Sequence, residues 1–154
     1  MQEFLIAPAA GRSLWLLLLV PGLVLALVVG LLGAAFRGAR SARFEVSPAG
    51  LRLRGDLYGR LIPAARLEGA SIARVDLATR QELAPRRRTL GTGLPGYNAG
   101  WFRLGNGEKA LLYLTDTSRA VYMRTMDGYS VLVSPAEPDR FVAALRAVAD
   151  ARQW

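Results

Sequence analysis

The stretch Gly100-Trp101-Phe102-Arg103-Leu104-Gly105-Asn106-Gly107-Glu108-Lys109-Ala110-Leu111-Leu112-Tyr113-Leu114 decides the fold of this chain. Two apolar-rich segments flank Gly105-Asn106-Gly107, whose glycines offer the positive φ angles that a tight hairpin turn requires, so the stretch reads as two antiparallel strands. A second hairpin follows it. Residues 120–125 and 129–133 surround Met126-Asp127-Gly128, and Asp-Gly is among the strongest local hairpin signals.

Working outward, Ala42-Arg43-Phe44-Glu45-Val46 and Leu51-Arg52-Leu53-Arg54 flank Ser47-Pro48-Ala49-Gly50, a turn carrying Pro and Gly. Residues 57–62 predict a third strand ended by Pro63, and Ile72-Ala73-Arg74-Val75-Asp76-Leu77 a fourth. Short alternating segments at intervals of roughly ten residues are the signature of a small all-β sandwich or barrel, here of about seven strands. The chain then closes with a helix over about 136–151, announced by Ser134-Pro135-Ala136-Glu137 with a capping hydroxyl, a proline and a glutamate. Phe141, Val142, Leu145 and Val148 fall on one face of it, which is expected to cover an open end or side of the β layer.

At the other end, 14–36 contains no charge, amide or hydroxyl and stops at Arg37. A helix rising about 1.5 Å per residue needs roughly 20 such residues to cross a bilayer, so this run predicts a single membrane span. Its length and flanks fit an uncleaved anchor better than a signal peptide, with Ala34-Ala35 a weak match to a cleavage site. The implied organisation is a tail over 1–13, a span over 14–36, a juxtamembrane linker over 37–42 and a β domain over 43–154. Arg12 alone precedes the span while Arg37, Arg40 and Arg43 follow it, which predicts a cytoplasmic domain at the cell membrane. The apolar patch Phe4-Leu5-Ile6-Ala7-Pro8 is suited to lie in the interface or to pack on the domain. Gly22, Ala26, Gly30 and Ala34 recur every four residues, a small-residue stripe that suits helix self-association. Pro21 predicts a kink near Leu17.

Composition narrows the chemistry. The chain has no cysteine and no histidine, which removes disulfides, thiol nucleophiles and every imidazole-based triad or zinc site. From Arg37 onward, 19 Lys and Arg face 11 Asp and Glu, and this excess favours anionic surfaces, with bilayer lipid a simpler expectation than nucleic acid.

Between the fourth strand and Trp101, residues 78–99 show no clear periodicity and read as a long loop of the sort that carries function. Gly91-Thr92-Gly93-Leu94-Pro95-Gly96 formally matches a dinucleotide fingerprint, but Pro85 and three arginines precede it and Pro95 follows. The context does not suit a nucleotide, and no cofactor is expected. Arg86, Arg87 and Arg88 beside Gly91, Gly93 and Gly96 suit an anion or partner site, or else are solvated or structural. Tyr97 belongs to the same surface. Trp101 and Phe102 point to opposite faces of one strand, so Phe102 is expected in the core and Trp101 at an interface. Asp56, Asp76, Asp116 and Asp127 fall near turns or strand ends, where turn chemistry is their expected role.

Residues 88–97, 100–104, 107–111 and 134–141, together with the order of strands followed by one amphipathic helix, resemble the bacterial pleckstrin-homology-like domains found behind membrane helices. The resemblance implies a small PH-like β barrel or sandwich capped by the C-terminal helix, and brings no activity with it. Such folds in general bind phosphoinositides or proteins, often through bases in the first hairpin's loop. Here Ser47-Pro48-Ala49-Gly50 contains no base. The expectation is therefore a non-catalytic, membrane-anchored scaffold that engages a protein partner with arginine-assisted contact to anionic groups. The alternatives are a structural subunit acting through its span and, more remotely, an enzyme or nucleotide binder using 91–96.

Overall fold

The computed structural model describes residues 12–55 and 57–151, which divide into two compact units between Arg37 and Gly38. The tail expected over 1–13, apart from Arg12 and Ser13, lies outside the described residues, and so does Asp56. Helix α1 covers Arg12–Ser41 and contains Pro21. Gly22, Ala26, Gly30 and Ala34 are all exposed on it, and a Cβ added to Gly22 or Gly30 meets open space.

The membrane span expected over 14–36 is corrected, because among the described residues no helix is long and apolar enough to cross a membrane. With the span goes the argument that oriented the domain.

Among the described residues the second unit contains nine strands in two sheets, where about seven were expected. β1 (Arg43–Ser47), β2 (Gly50–Arg54) and β3 (Leu61–Pro63) form a small antiparallel sheet in that order. β4 (Ala73–Val75), β5 (Pro85–Leu94), β6 (Tyr97–Leu104), β7 (Lys109–Leu114), β8 (Ala120–Arg124) and β9 (Ser130–Val133) form the larger one. Its spatial order is β4-β8-β9-β7-β6-β5. The β8–β9 hairpin lies beside β7, so β7 and β9 run parallel at the centre, with Leu111 opposite Val131 and Tyr113 opposite Val133.

These two central strands are buried on both faces, which is why Leu111-Leu112-Tyr113-Leu114 and Val131-Leu132-Val133 read as continuous apolar runs. One face of the large sheet presents Leu111, Tyr113, Val121, Met123, Val131 and Val133 to Leu51, Leu53 and Ile62 of the small sheet and to the closing helix. The other face packs Phe102, Leu104, Leu112, Leu114 and Leu132 under Val75, Leu77 and Leu83.

Helix α2 covers Pro138–Asp150, starting two residues later than expected. Phe141 and Leu145 are buried and Val142 and Val148 half-buried, while Ala149 completes the inner face. Ser134 does not cap it. Its hydroxyl donates to the Asp116 carbonyl at 2.7 Å, Glu137 holds the N-cap position without a side-chain bond, and Pro138 occupies the first turn. Arg146 ties the helix to the barrel, donating from Nε and Nη2 to the Ile72 carbonyl at 3.1 and 2.7 Å.

Candidate functional site

The region expected to be a glycine-rich loop is instead a hairpin. After a short 3-10 turn at Gln81–Leu83, β5 pairs with β6 from Pro85 opposite Leu104 to Leu94 opposite Tyr97, and the turn is Pro95-Gly96. Gly91 and Gly100 face each other in this ladder. Gly100 has φ +111, and a Cβ placed on it would lie 2.5 Å from the Leu90 carbonyl oxygen and 2.6 Å from the Gly91 Cα. Only paired glycines let the two backbones approach this closely. The backbone of 91–94 is thereby engaged in a strand ladder, so the concave anion nest and the nucleotide cradle considered for 91–96 do not form.

Strand alternation separates the three arginines. Arg87 lies opposite Arg103, Arg88 lies opposite Phe102, and Arg86 falls in the irregularity between Pro85 and Arg87. A second irregularity precedes Leu90. All three are exposed. Gly93 lies along the same strand, Gly96 in its turn, and Tyr97 is buried in the core under Leu94 instead of facing a partner.

What the ladder does assemble is a row of cations. Arg103 on β6 lies opposite both Arg87 on β5 and Lys109 on β7, so three positive side chains stand abreast across three strands. Like charges directly opposite one another destabilise a sheet. Arg103 turns part of its charge onto the Gly107 carbonyl at 2.8 Å. Two residues earlier on the same face of β6, half-buried Trp101 holds the Lys109 Nζ at 4.5 Å and the Arg60 Cζ at 4.9 Å from its ring centroid. Tyr129 meets Trp101 edge-on at 5.1 Å. Phe102, its neighbour, is buried on the opposite face as alternation requires.

Arg60 links this row to a cleft of about 490 Å³ between the end of β2 and the start of β3, where Arg52 and Arg54 also line the wall. Arg54 is paired with Glu45 at 3.3 Å. Among the described residues, no carboxylate forms an ion pair with Arg52, Arg60, Arg87, Arg103 or Lys109. Elsewhere Arg66, Arg74, Arg80, Arg119, Arg124 and Arg140 each have an acidic partner, whereas Arg43, Arg86, Arg88 and Arg146 pair with no described carboxylate.

A smaller hollow of about 120 Å³ beside Lys109 and Tyr129 includes Glu108. That carboxylate accepts from Ser130 Oγ at 2.7 Å and Tyr122 Oη at 2.8 Å. Burial works to raise its pKa, but these hydrogen bonds, the charge of Arg124 and a bond from Asn106 outweigh it and hold Glu108 below the usual carboxylate range. It is a structural anion, fully engaged. A groove of about 590 Å³ between β1 and the start of α2 contains Asp116 and Arg119, which satisfy each other at 3.0 Å. Asp76 and Asp116 accept from backbone amides two residues on and so serve turns as expected, whereas the Asp127 carboxylate forms a long-range ion pair with Arg66. Among the described residues, no group of acids could hold a metal ion.

The sequence analysis singled out Trp101 but not Arg60, Arg103 or Lys109, which the structure places against it or beside it. Arg103 and Lys109 flank Gly105-Asn106-Gly107 almost symmetrically, so the hairpin itself was the signal that they pair. Arg60 carried none, because its approach to Trp101 joins two sheets.

Two sheets packed face to face, closed by one helix and presenting a basic face that lacks acidic partners among the described residues, define a PH-like β domain. A family model described as Bacterial PH domain matches residues 42–149. The chain belongs to that family. No curated protein and no solved structure matches it. PH-like domains are typically non-catalytic binding modules.

Proposed function

We propose that this protein is a non-catalytic binding module that engages a protein partner through anionic groups on the face organised around Trp101. The observation that carries this reading is the cation row of Arg87, Arg103 and Lys109, with Arg60 on the same tryptophan. A sheet that sets like charges abreast without acidic partners loses stability, and a bound carboxylate or phosphate restores the balance. Trp101 supplies a rigid amphipathic anchor of the sort enriched in binding hot spots. The cleft beside Arg60 gives the partner a concavity, and its guanidinium groups favour planar, bidentate anions.

The test is a photo-crosslinking residue placed at Leu61, which is 41% exposed on the cleft wall. Crosslinked products from cells expressing the full chain are compared with those from Arg60→Glu and Arg103→Glu variants. A discrete protein adduct that disappears in both charge-reversed variants supports the reading. An adduct pattern unchanged by either reversal, or no protein adduct at all, overturns it.

A further inference from the structure

The longest strand of the domain is an edge. β5 has ten residues and one neighbour, β6, and nothing among the described residues pairs with its outer side. The opposite edge of the same sheet, β4, has only three residues. A long edge strand exposes a row of backbone donors and acceptors, and folded proteins blunt such edges with proline, charge or bulges. On β5 those devices are confined to one half: Pro85, Arg86, Arg87, Arg88 and both register irregularities precede Leu90. From Leu90 to Leu94 the pairing is regular, the side chains include two glycines, and Leu90 is 61% exposed.

The arginines can be read as a simple guard against aggregation. A positive guard excludes another basic strand but attracts an acidic one, so on this edge it also selects. We propose that the outer edge of β5 is a β-augmentation site for an extended acidic segment of another protein, added antiparallel to β5. Running against β5, such a segment places small or apolar residues beside 90–94 first, then carboxylates beside Arg88, Arg87 and Arg86. Backbone hydrogen bonds supply the affinity, and the arginines, on both faces because strand neighbours alternate, supply the choice of sequence. The inference goes beyond the face around Trp101 and does not require it.

The probe is a synthetic fluorescent peptide, Thr-Val-Thr-Val-Thr-Val-Glu-Glu-Glu, whose nine residues run antiparallel from Leu94 to Arg86, titrated against the full chain and followed by anisotropy, with amide exchange to map it. The expected result is saturable binding that slows exchange over 90–94. Methylating alternate backbone nitrogens of the probe should then weaken it about tenfold or more, since each lost hydrogen bond is worth about 1 kcal/mol. Replacing the three glutamates by lysine, or Arg86, Arg87 and Arg88 together by Glu, should abolish it, while Arg60→Glu leaves it unchanged. Four results overturn the proposal: no binding at millimolar peptide; equal binding of the methylated probe, which would mean charge attraction alone; protection elsewhere than β5; or a chain that occupies the edge with a second copy of itself. Loss of binding in Arg60→Glu would also overturn it, since the peptide would then sit on the face around Trp101. Arg60→Glu therefore separates failure of this inference from failure of that reading.

Discussion

Replacing Gly100 by Ala tests the packing that turns 85–104 into a hairpin. Two costs add. Gly100 has φ +111, where an L residue is strained by about 1–3 kcal/mol. Its new Cβ would meet the Leu90 carbonyl oxygen at 2.5 Å and the Gly91 Cα at 2.6 Å. Both are backbone atoms, so relief requires the strands to part, at a further cost of about 1–3 kcal/mol by analogy with overpacked cores. The expected loss is about 3 kcal/mol, or roughly 10 °C in Tm for a domain of this size. Gly96→Ala is the internal control, because Gly96 also has a positive φ, +76, but a Cβ there has nothing within 4 Å. It should cost only the conformational part, about 1 kcal/mol. Urea titration of the full chain and both variants measures the difference. Equal losses in the two variants, or a loss below about 0.5 kcal/mol for Gly100→Ala, would refute the close-approach argument.

Two further outcomes follow from the same contacts. Arg146→Ala removes both bonds to the Ile72 carbonyl and should lower stability by about 1–2 kcal/mol, with Arg146→Lys recovering part of it; an unchanged urea midpoint would show that the helix is held by apolar packing alone. The Asp116 carboxyl is held at about 2, below its ordinary 3.8, first by the Ser118 hydroxyl and then by Arg119, so its stabilising effect is complete above about pH 4 and disappears as pH falls toward 2. Urea midpoints of Asp116→Asn should therefore be flatter than wild type across that window, and parallel profiles would contradict the assignment.

Local signals were legible where turn chemistry and alternation coincide. The β1–β2 and β8–β9 hairpins fall within a residue of their expected bounds and β7 matches its own, because Pro-Ala-Gly, Gly-Asn-Gly and Asp-Gly punctuate them, while β6 begins at Tyr97, three residues before the expected Gly100. β5 was hidden for a physical reason. It is an edge exposed on both sides and twice irregular, so no alternation survives, and glycines that serve close strand approach look the same in sequence as glycines that open a loop. Ser134 misled similarly: its hydroxyl had a carbonyl partner at Asp116, eighteen residues away, that outcompeted the helix terminus.

By itself the sequence determined what chemistry is closed to this protein, because missing histidine and cysteine cannot be restored by any fold. It also determined the β character of the domain and the apolar face of the closing helix, since both are periodicities that neighbouring residues write directly into the chain. Tertiary structure decided everything that depends on register between distant segments. It spread Arg86, Arg87 and Arg88 over a strand, placed Arg87 abreast of Arg103 and Lys109, brought Arg60 to Trp101 from the other sheet, and buried Tyr97. Side-chain charge is local information, but which charges share a face is set by hydrogen-bonded pairing, and that pairing exists only once the sheets have formed.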